Sequence, residues 1–247
     1  MDGKVALVTG GDYGIGRGIS EKLIESGYSV VTFSNDITHA EALKEKLAVK
    51  QSQFDALTGD VSNADDVRRT VNLVMNKYGR IDLLCLTAGI KVPGDVVQTD
   101  EPTWNRVFDV NVKGVYLFCH EVVPHMIKQQ SGVILTFSSP SANAESGHIA
   151  YAASKGAILS LSKSMAMDCR KHHIRVNTII PGFTQSGMTE NLPKELFEHK
   201  AGENVAGRVN TPEDIANMVL FLASEKAITM SGAVIDVGIV HGQMVMK

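Results

Sequence analysis

With 247 residues, 44% of them hydrophobic and 21% charged, the chain can bury one substantial core. Alternating strand and helix patterns often run this long as a single domain. A net charge of −3 supplies no global basic field, which argues against nucleic acid or an anionic membrane surface as partner. Cys85, Cys119 and Cys169 lie far apart in apolar stretches without metal-ligand spacing, so no metal is expected and a reducing, cytoplasmic setting is the economical reading.

The first apolar run, Val5-Ala6-Leu7-Val8, starts so early that no signal peptide is expected. No stretch of about 18 apolar residues predicts a membrane span. The run is short, continuous and rich in valine, as in a parallel strand buried on both faces. Similar runs follow at 30–33, 83–86, 133–137, 176–180 and 234–237, with a weaker one at 53–57. Helix-period segments alternate with them at 16–26, 40–49, 64–78, 112–129, 150–171 and 212–223. Ser62 or Asn63 is placed to cap the helix that opens with Asp65 and Asp66. Thr211-Pro212-Glu213-Asp214 offers a cap, a first-turn proline and two acids. This order predicts an α/β, Rossmann-like, doubly wound parallel sheet of about seven strands, helices on both faces, in a single domain over 1–247. Ligands of such sheets bind beyond the carboxyl ends of the strands, which singles out the loops after Thr9, Phe33, Leu86, Phe137 and Ile180.

The first of these loops reads Thr9-Gly10-Gly11-Asp12-Tyr13-Gly14-Ile15-Gly16. Gly10 permits a sharp turn, Gly14 a close approach of backbone to a pyrophosphate, and Gly16 close packing of helix on strand. The helix start adds N–H donors and partial positive charge. Glycine-rich turns also close units that bind nothing, but the place between first strand and first helix favours a dinucleotide.

Tyr151 and Lys155 stand at i and i+4 within an apolar helical run, on one face and about 6 Å apart along the axis. A free phenol has a pKa of about 10, and a neighbouring ammonium lowers it, which suits a general acid or base. The same spacing also serves ordinary surface contacts in which a lysine stem covers the ring. His172-His173 suggests a metal pair, yet adjacent helical residues point apart, and helix-end histidines are the better reading.

The pattern of Thr9-Gly10-x-x-x-Gly14-x-Gly16, a later serine and Tyr151-x-x-x-Lys155 resembles the short-chain dehydrogenase/reductase family. The resemblance spans residues 4–237 and includes Asp60-Val61, Asn111 in Asn-Val-x-Gly, and the Pro181-Gly182 turn. It implies hydride transfer between a nicotinamide and a carbonyl or secondary alcohol. Tyr151 is then proton donor, Lys155 binds the ribose hydroxyls and depresses the tyrosine pKa, and Asn111 holds a water beside Lys155. Asn111 is equally well suited to capping the following helix. The family serine sits thirteen residues before the tyrosine, at Ser138, to bind the substrate oxygen; Ser139 and Ser141 compete for that role. Implied cofactor contacts are Gly10, Asp12, Tyr13, Gly14, Ile15, Gly16, Ser34, Asn35, Asp60, Val61, Thr87, Ala88, Gly89, Tyr151, Lys155, Pro181, Gly182 and Thr184.

The chain departs from its relatives at Leu86-Thr87-Ala88-Gly89, where most carry Asn-Asn-Ala-Gly, with Thr87 replacing part of the lost hydrogen bonding. It departs again at Asp236-Val237-Gly238-Ile239-Val240-His241, which lacks the usual Asp-Gly-Gly. Relatives that use NAD place an acid where Ser34 stands, so NADP is favoured here, with NAD the alternative. The stretches around Gly182-Phe183-Thr184, Met188-Thr189, Gly207-Arg208 and Pro212–Ala216 look most like 3-oxoacyl-[acyl-carrier-protein] reductases. That likeness implies an acyl carrier protein as partner and a homotetramer; Lys128 and Arg170-Lys171-His172 are candidates for a basic docking patch, and equally for plain complements to the helix carboxyl ends. Sugar, steroid or other secondary-alcohol dehydrogenases share every catalytic residue named. A non-catalytic dinucleotide sensor is the reading of a different class, and it has no need of a proton donor. The polar, helix-prone stretch 185–201 is expected to act as a lid over the substrate.

Overall fold

A computed structural model of the chain describes residues 3–47, 53–187 and 189–239; Val49, Met188, Val240 and His241 of the sequence reading lie outside them. Strands and helices alternate as β1 (Val5–Thr9), α1 (Gly14–Glu25), β2 (Ser29–Ser34), α2 (Ile37–Lys46), β3 (Phe54–Thr58), α3 (Ala64–Tyr78) and β4 (Leu83–Leu86). They continue as α4 (Glu101–Phe108), α5 (Gly114–Gln129), β5 (Gly132–Phe137), α6 (Ile149–Cys169), β6 (Ile174–Pro181), α7 (Lys194–Gly202), α8 (Pro212–Ala223) and β7 (Val234–Val237). The seven strands form one parallel sheet in the order β3-β2-β1-β4-β5-β6-β7.

Side chains alternate across a strand, so the inner strands feed two cores. Val5 and Leu7 pack with Val67, Val71, Phe118 and Ile158 on the α3–α5–α6 side. Ala6 and Val8 pack with Ile19, Leu23, Ile215 and Val219 on the α1–α8 side. Burial of both faces explains why the strands read as unbroken apolar runs. Each such side chain contributes roughly 1.5–3 kcal/mol on leaving water.

The chain begins at the centre of the sheet, runs outward through β2 and β3, then returns to β4 on the other flank of β1. The strand order therefore switches direction between β1 and β4, and the crevice beyond their carboxyl ends is the natural ligand site. Local chemistry fixes several helix starts. The Asn63 side chain accepts from the amides of Asp65 at 2.9 Å and Asp66 at 3.2 Å, and Thr211 forms a reciprocal capping box with Asp214.

Two helices were not apparent from periodicity. Helix α4 is a short eight-residue helix whose stripe of Trp104, Val107 and Phe108 buries only Val107, and α7 buries no side chain. Helix α4 passes through a π-helical turn, Asp109–Lys113, straight into α5. Asn111 therefore lies inside a continuous helical rod and does not cap α5. Helix α6 ends in a 3₁₀ turn over Arg170–His172, followed by His173 in the left-handed region at φ 58°.

Candidate active site

The glycine loop joins β1 to α1 beyond the sheet. Gly10 adopts φ +62°, and its amide donates to the carbonyl of Phe33 at 2.7 Å, tying the loop to the end of β2. A Cβ on Gly16 would lie 2.1 Å from the Gly10 carbonyl oxygen, so only glycine lets the helix start close against the turn. The loop opens onto a cavity of about 350 Å³ at the switch point. Gly10, Asp12, Tyr13, Gly14, Ile15, Gly16, Ser34, Asn35, Asp60, Val61, Thr87, Ala88 and Gly89 all line it. Bare glycine backbone, a helix amino terminus and a row of strand ends fit an elongated dinucleotide.

The wall also contains residues the sequence did not single out for this role. Arg106 arrives on α4 and donates to Asp60 and to Ser62, each at 3.0 Å. Burial alone would raise the Asp60 pKa, but the Ser62 hydrogen bonds and the Arg106 charge outweigh it and hold the carboxyl below its ordinary value. His39 stacks on Tyr13 at 4.3 Å, and Gly187 comes from the loop after β6.

Five predicted contacts stand outside this cavity's wall. Tyr151 and Lys155 lie on α6. Pro181 ends β6, and the Gly182 amide donates to Val237 at 2.8 Å. Thr184, also outside the wall, is buried and donates to the Gly182 carbonyl at 2.8 Å.

Around Tyr151 the structure differs from expectation in two respects. Ser138 continues the alternation of β5 and shares the face of Ile134 and Thr136, toward α6. Its hydroxyl donates to the Lys155 main-chain carbonyl at 2.8 Å and is buried there. Ser139 lies past the strand, half-buried, and is the hydroxyl close enough to the Tyr151 phenol to lower its pKa. Ser139 also meets the Ser141 hydroxyl at 3.0 Å.

The second difference concerns acidity. Burial pushes the Tyr151 phenol above its ordinary value; the Ser139 hydroxyl pulls it back, and Glu145 raises it further. The expected lowering by Lys155 is not what this arrangement delivers. The amine sits 5.6 Å from the ring centroid and donates to the Phe137 carbonyl at 2.9 Å, and its own pKa is brought down to about 8 by burial.

Asn111 spans the space behind this group. Its amide oxygen accepts from Ile90 N–H at 2.8 Å, and its nitrogen donates to the Ile90 carbonyl at 2.9 Å and the Ser154 hydroxyl at 3.0 Å. A Cβ on Gly89 would lie 3.2 Å from the Asn111 oxygen and 3.5 Å from the Lys155 ammonium, so these groups crowd the inner end of the cavity wall. The Thr87 hydroxyl donates to the Thr9 carbonyl, bridging the end of β4 to β1. Lys91 adds a charge that the sequence did not flag. Its ammonium is 5.3 Å from the Tyr151 centroid and 2.5 Å from Glu145.

At the far end of β2 an acid lies beside Ser34 in space, although Ser34 itself is not one. The Ser34 hydroxyl donates to the carboxylate of Asp12, which reaches across from the glycine loop. The proposed basic patch also has an unexpected place. Lys128 and Arg170–His172 precede β5 and β6, so they lie at the opposite edge of the sheet from Tyr151. From Tyr151 to Arg170 is about 28 Å along α6.

Among the described residues no cluster of three or more His, Cys, Asp or Glu side chains forms a metal site, and no helix is long and apolar enough to cross a membrane.

Comparison with known proteins agrees with this geometry. The family described as short chain dehydrogenase matches residues 4–196. The 3-oxoacyl-[acyl-carrier-protein] reductase FabG of Staphylococcus aureus is 37% identical over 236 residues, covering 95% of this chain and 96% of that protein. The FabG of Thermotoga maritima is 34% identical over 238 residues, covering 96% and 97%. Among solved structures, gox2181 aligns with a TM-score of 0.89 at 30% identity, over 96% of this chain and 95% of that one. A short-chain dehydrogenase/reductase of Brucella melitensis, described as glucose/ribitol dehydrogenase, also reaches 0.89, at 27% identity over 100% and 98%. The chain belongs to the short-chain dehydrogenase family and is a nicotinamide-dependent oxidoreductase acting between carbonyl and alcohol.

Proposed function

We propose that the chain reduces 3-oxoacyl thioesters, with the whole of 1–247 acting as one binding and catalytic domain. The observation that carries this reading is the buried Tyr151 phenol, with the Ser139 hydroxyl acting on it and the Lys155 amine beside it, on a fold lined for a dinucleotide. The relatives named for 3-oxoacyl carriers, matched over nearly their full length, support the substrate class.

A nicotinamide dinucleotide bound in the glycine-lined cavity supplies the hydride. Tyr151 gives its phenolic proton to the carbonyl oxygen; its pKa, raised by burial, keeps the proton in place until negative charge develops on the substrate. Ser139, rather than Ser138, hydrogen-bonds that oxygen, since the Ser138 hydroxyl is committed to the Lys155 backbone. Lys155 supplies positive potential and a donor for ribose hydroxyls. Asn111 holds the Ile90 backbone in the loop after β4 and the Ser154 hydroxyl in register behind it.

A carrier-linked substrate calls for an acidic partner. Lys128 and Arg170–His172 serve as its docking patch only where a second copy brings that edge beside another copy's site, which fits a homotetramer. Helices α5 and α6 support assembly by leaving Tyr116 51% and Met167 67% exposed. A second reading, oxidation of a polyhydroxylated alcohol, draws on the Lys91–Glu145 pair beside Tyr151, because charged walls suit polar substrates.

Nicotinamide absorbance with a panel of 3-oxoacyl thioesters, sugars and cyclic ketones, using each dinucleotide in turn, separates these readings. Fastest turnover of a 3-oxoacyl thioester is expected. Turnover of sugars alone overturns the thioester assignment in favour of the second reading.

A further inference from the structure

Resting on the reading of the cavity as a dinucleotide site, we propose that Asp12 selects NAD over NADP by presenting a carboxylate at the adenosine ribose from the glycine loop. In doubly wound sheets that ribose lies at the end of the second strand, where an acid accepts hydrogen bonds from its hydroxyls. Here β2 ends in Ser34, which is not an acid. Asp12 takes up that position from outside the strand. The Gly10 amide is bonded to Phe33, so the loop is pinned against the end of β2, and the Asp12 carboxylate accepts the Ser34 hydroxyl. Asp12 is only 2% exposed, yet it lines the cavity together with Ser34, Asn35 and Asp36. Little solvent screens it from a ligand there.

The surrounding charges point the same way. Asp12, Asp36 and Asp60 line the cavity, and the cationic or ionisable-base side chains that line it beside them are Arg106 and His39. Arg106 is paired with Asp60 at 3.0 Å, and the His39 Nδ1 is 3.3 Å from Asp36. Arg17, at the start of α1, is held by Glu21 at 2.9 Å. A 2′-phosphate brings roughly two negative charges and wants a free arginine or lysine. A 2′-hydroxyl is a donor and needs only an acceptor, which Asp12 provides.

Isothermal titration calorimetry of the whole chain with NAD⁺ and with NADP⁺ tests this without relying on turnover. The wild type should bind NAD⁺ at least about tenfold more tightly, the ratio that corresponds to about 1.4 kcal/mol. Asp12→Asn keeps the shape and removes the charge, and it should shrink the ratio about tenfold or more, mainly by tightening NADP⁺. Ser34→Ala, which keeps the charge, should still prefer NAD⁺. Equal or tighter binding of NADP⁺ by the wild type, or an unchanged ratio in Asp12→Asn, overturns the proposal while leaving the dinucleotide reading intact. Absence of binding by either nucleotide overturns both. Should Asp12→Asn fail to fold, the two wild-type titrations still decide.

Discussion

The Ser138 hydroxyl donates to the main-chain carbonyl of Lys155 at 2.8 Å, locking the end of β5 to the first turns of α6. Through that bond the strand fixes the helix that carries Tyr151. The role is one of positioning, and it separates Ser138 from its neighbour. Ser138→Ala should lower the melting temperature by a few degrees, as expected for about 1 kcal/mol from one hydrogen bond, with kcat nearly kept. Ser139→Ala should leave stability nearly unchanged and reduce kcat roughly a hundredfold, the scale of one oxyanion donor. Thermal melts and steady-state kinetics on both variants check the contrast; the reverse pattern would restore Ser138 as the substrate-facing serine.

Lys155 carries a pH signature. Burial lowers its pKa to about 8 in the folded chain, against about 10.4 for a free lysine. Between those values the unfolded chain binds more protons than the folded one, so this residue's contribution to stability rises with pH across that window. Below about pH 8 both states hold the proton, and the cost of a buried ammonium is fully present. Lys155→Met removes that cost, so its stability advantage over wild type should be largest near pH 7 and shrink as the pH passes from about 8 to about 10. Chemical denaturation of both proteins at several pH values measures it. A pH-independent difference would contradict the assignment.

The Thr87 hydroxyl donates to the Thr9 carbonyl, which joins the end of β4 to β1 directly beneath the cavity. Thr87→Val keeps the shape and deletes the donor. It should cost about 1–3 kcal/mol, as for a buried acceptor left unpaired, and weaken dinucleotide binding. Urea unfolding and calorimetry report the two effects.

Gly187 lies against Tyr13 so closely that an added Cβ would fall 1.8 Å from a ring carbon. Gly187→Ala must therefore displace the exposed Tyr13 ring, which lines the cavity, or the loop after β6 itself. KM for the dinucleotide should rise several-fold with little change in melting temperature, because the loop is peripheral to both cores. An unchanged KM would show that this contact does not close the site.

The sequence made legible whatever is set by neighbours in the chain. Asn63 and Thr211 cap their helices as read, because capping needs only a side chain and an amide two or three residues on. The strands were legible because burial on both faces leaves an unbroken apolar run, as in Leu83–Leu86. Contacts across the fold were not. Asp12 meets Ser34 only because the loop folds back on β2, and Arg106 reaches Asp60 from a helix with a single buried residue. The choice between Ser138 and Ser139 turns on strand alternation persisting one residue past Phe137, which the thirteen-residue spacing does not encode.

The central claim is that Tyr151 delivers the proton that accompanies hydride transfer. Its most direct test is stopped-flow nicotinamide absorbance after mixing a 3-oxobutanoyl thioester with wild type or Tyr151→Phe, each saturated with reduced dinucleotide. The variant should lose roughly 10²–10⁴ in single-turnover rate, the range for general acid catalysis, with dinucleotide affinity unchanged. A variant that turns over within a few-fold of wild type would contradict it.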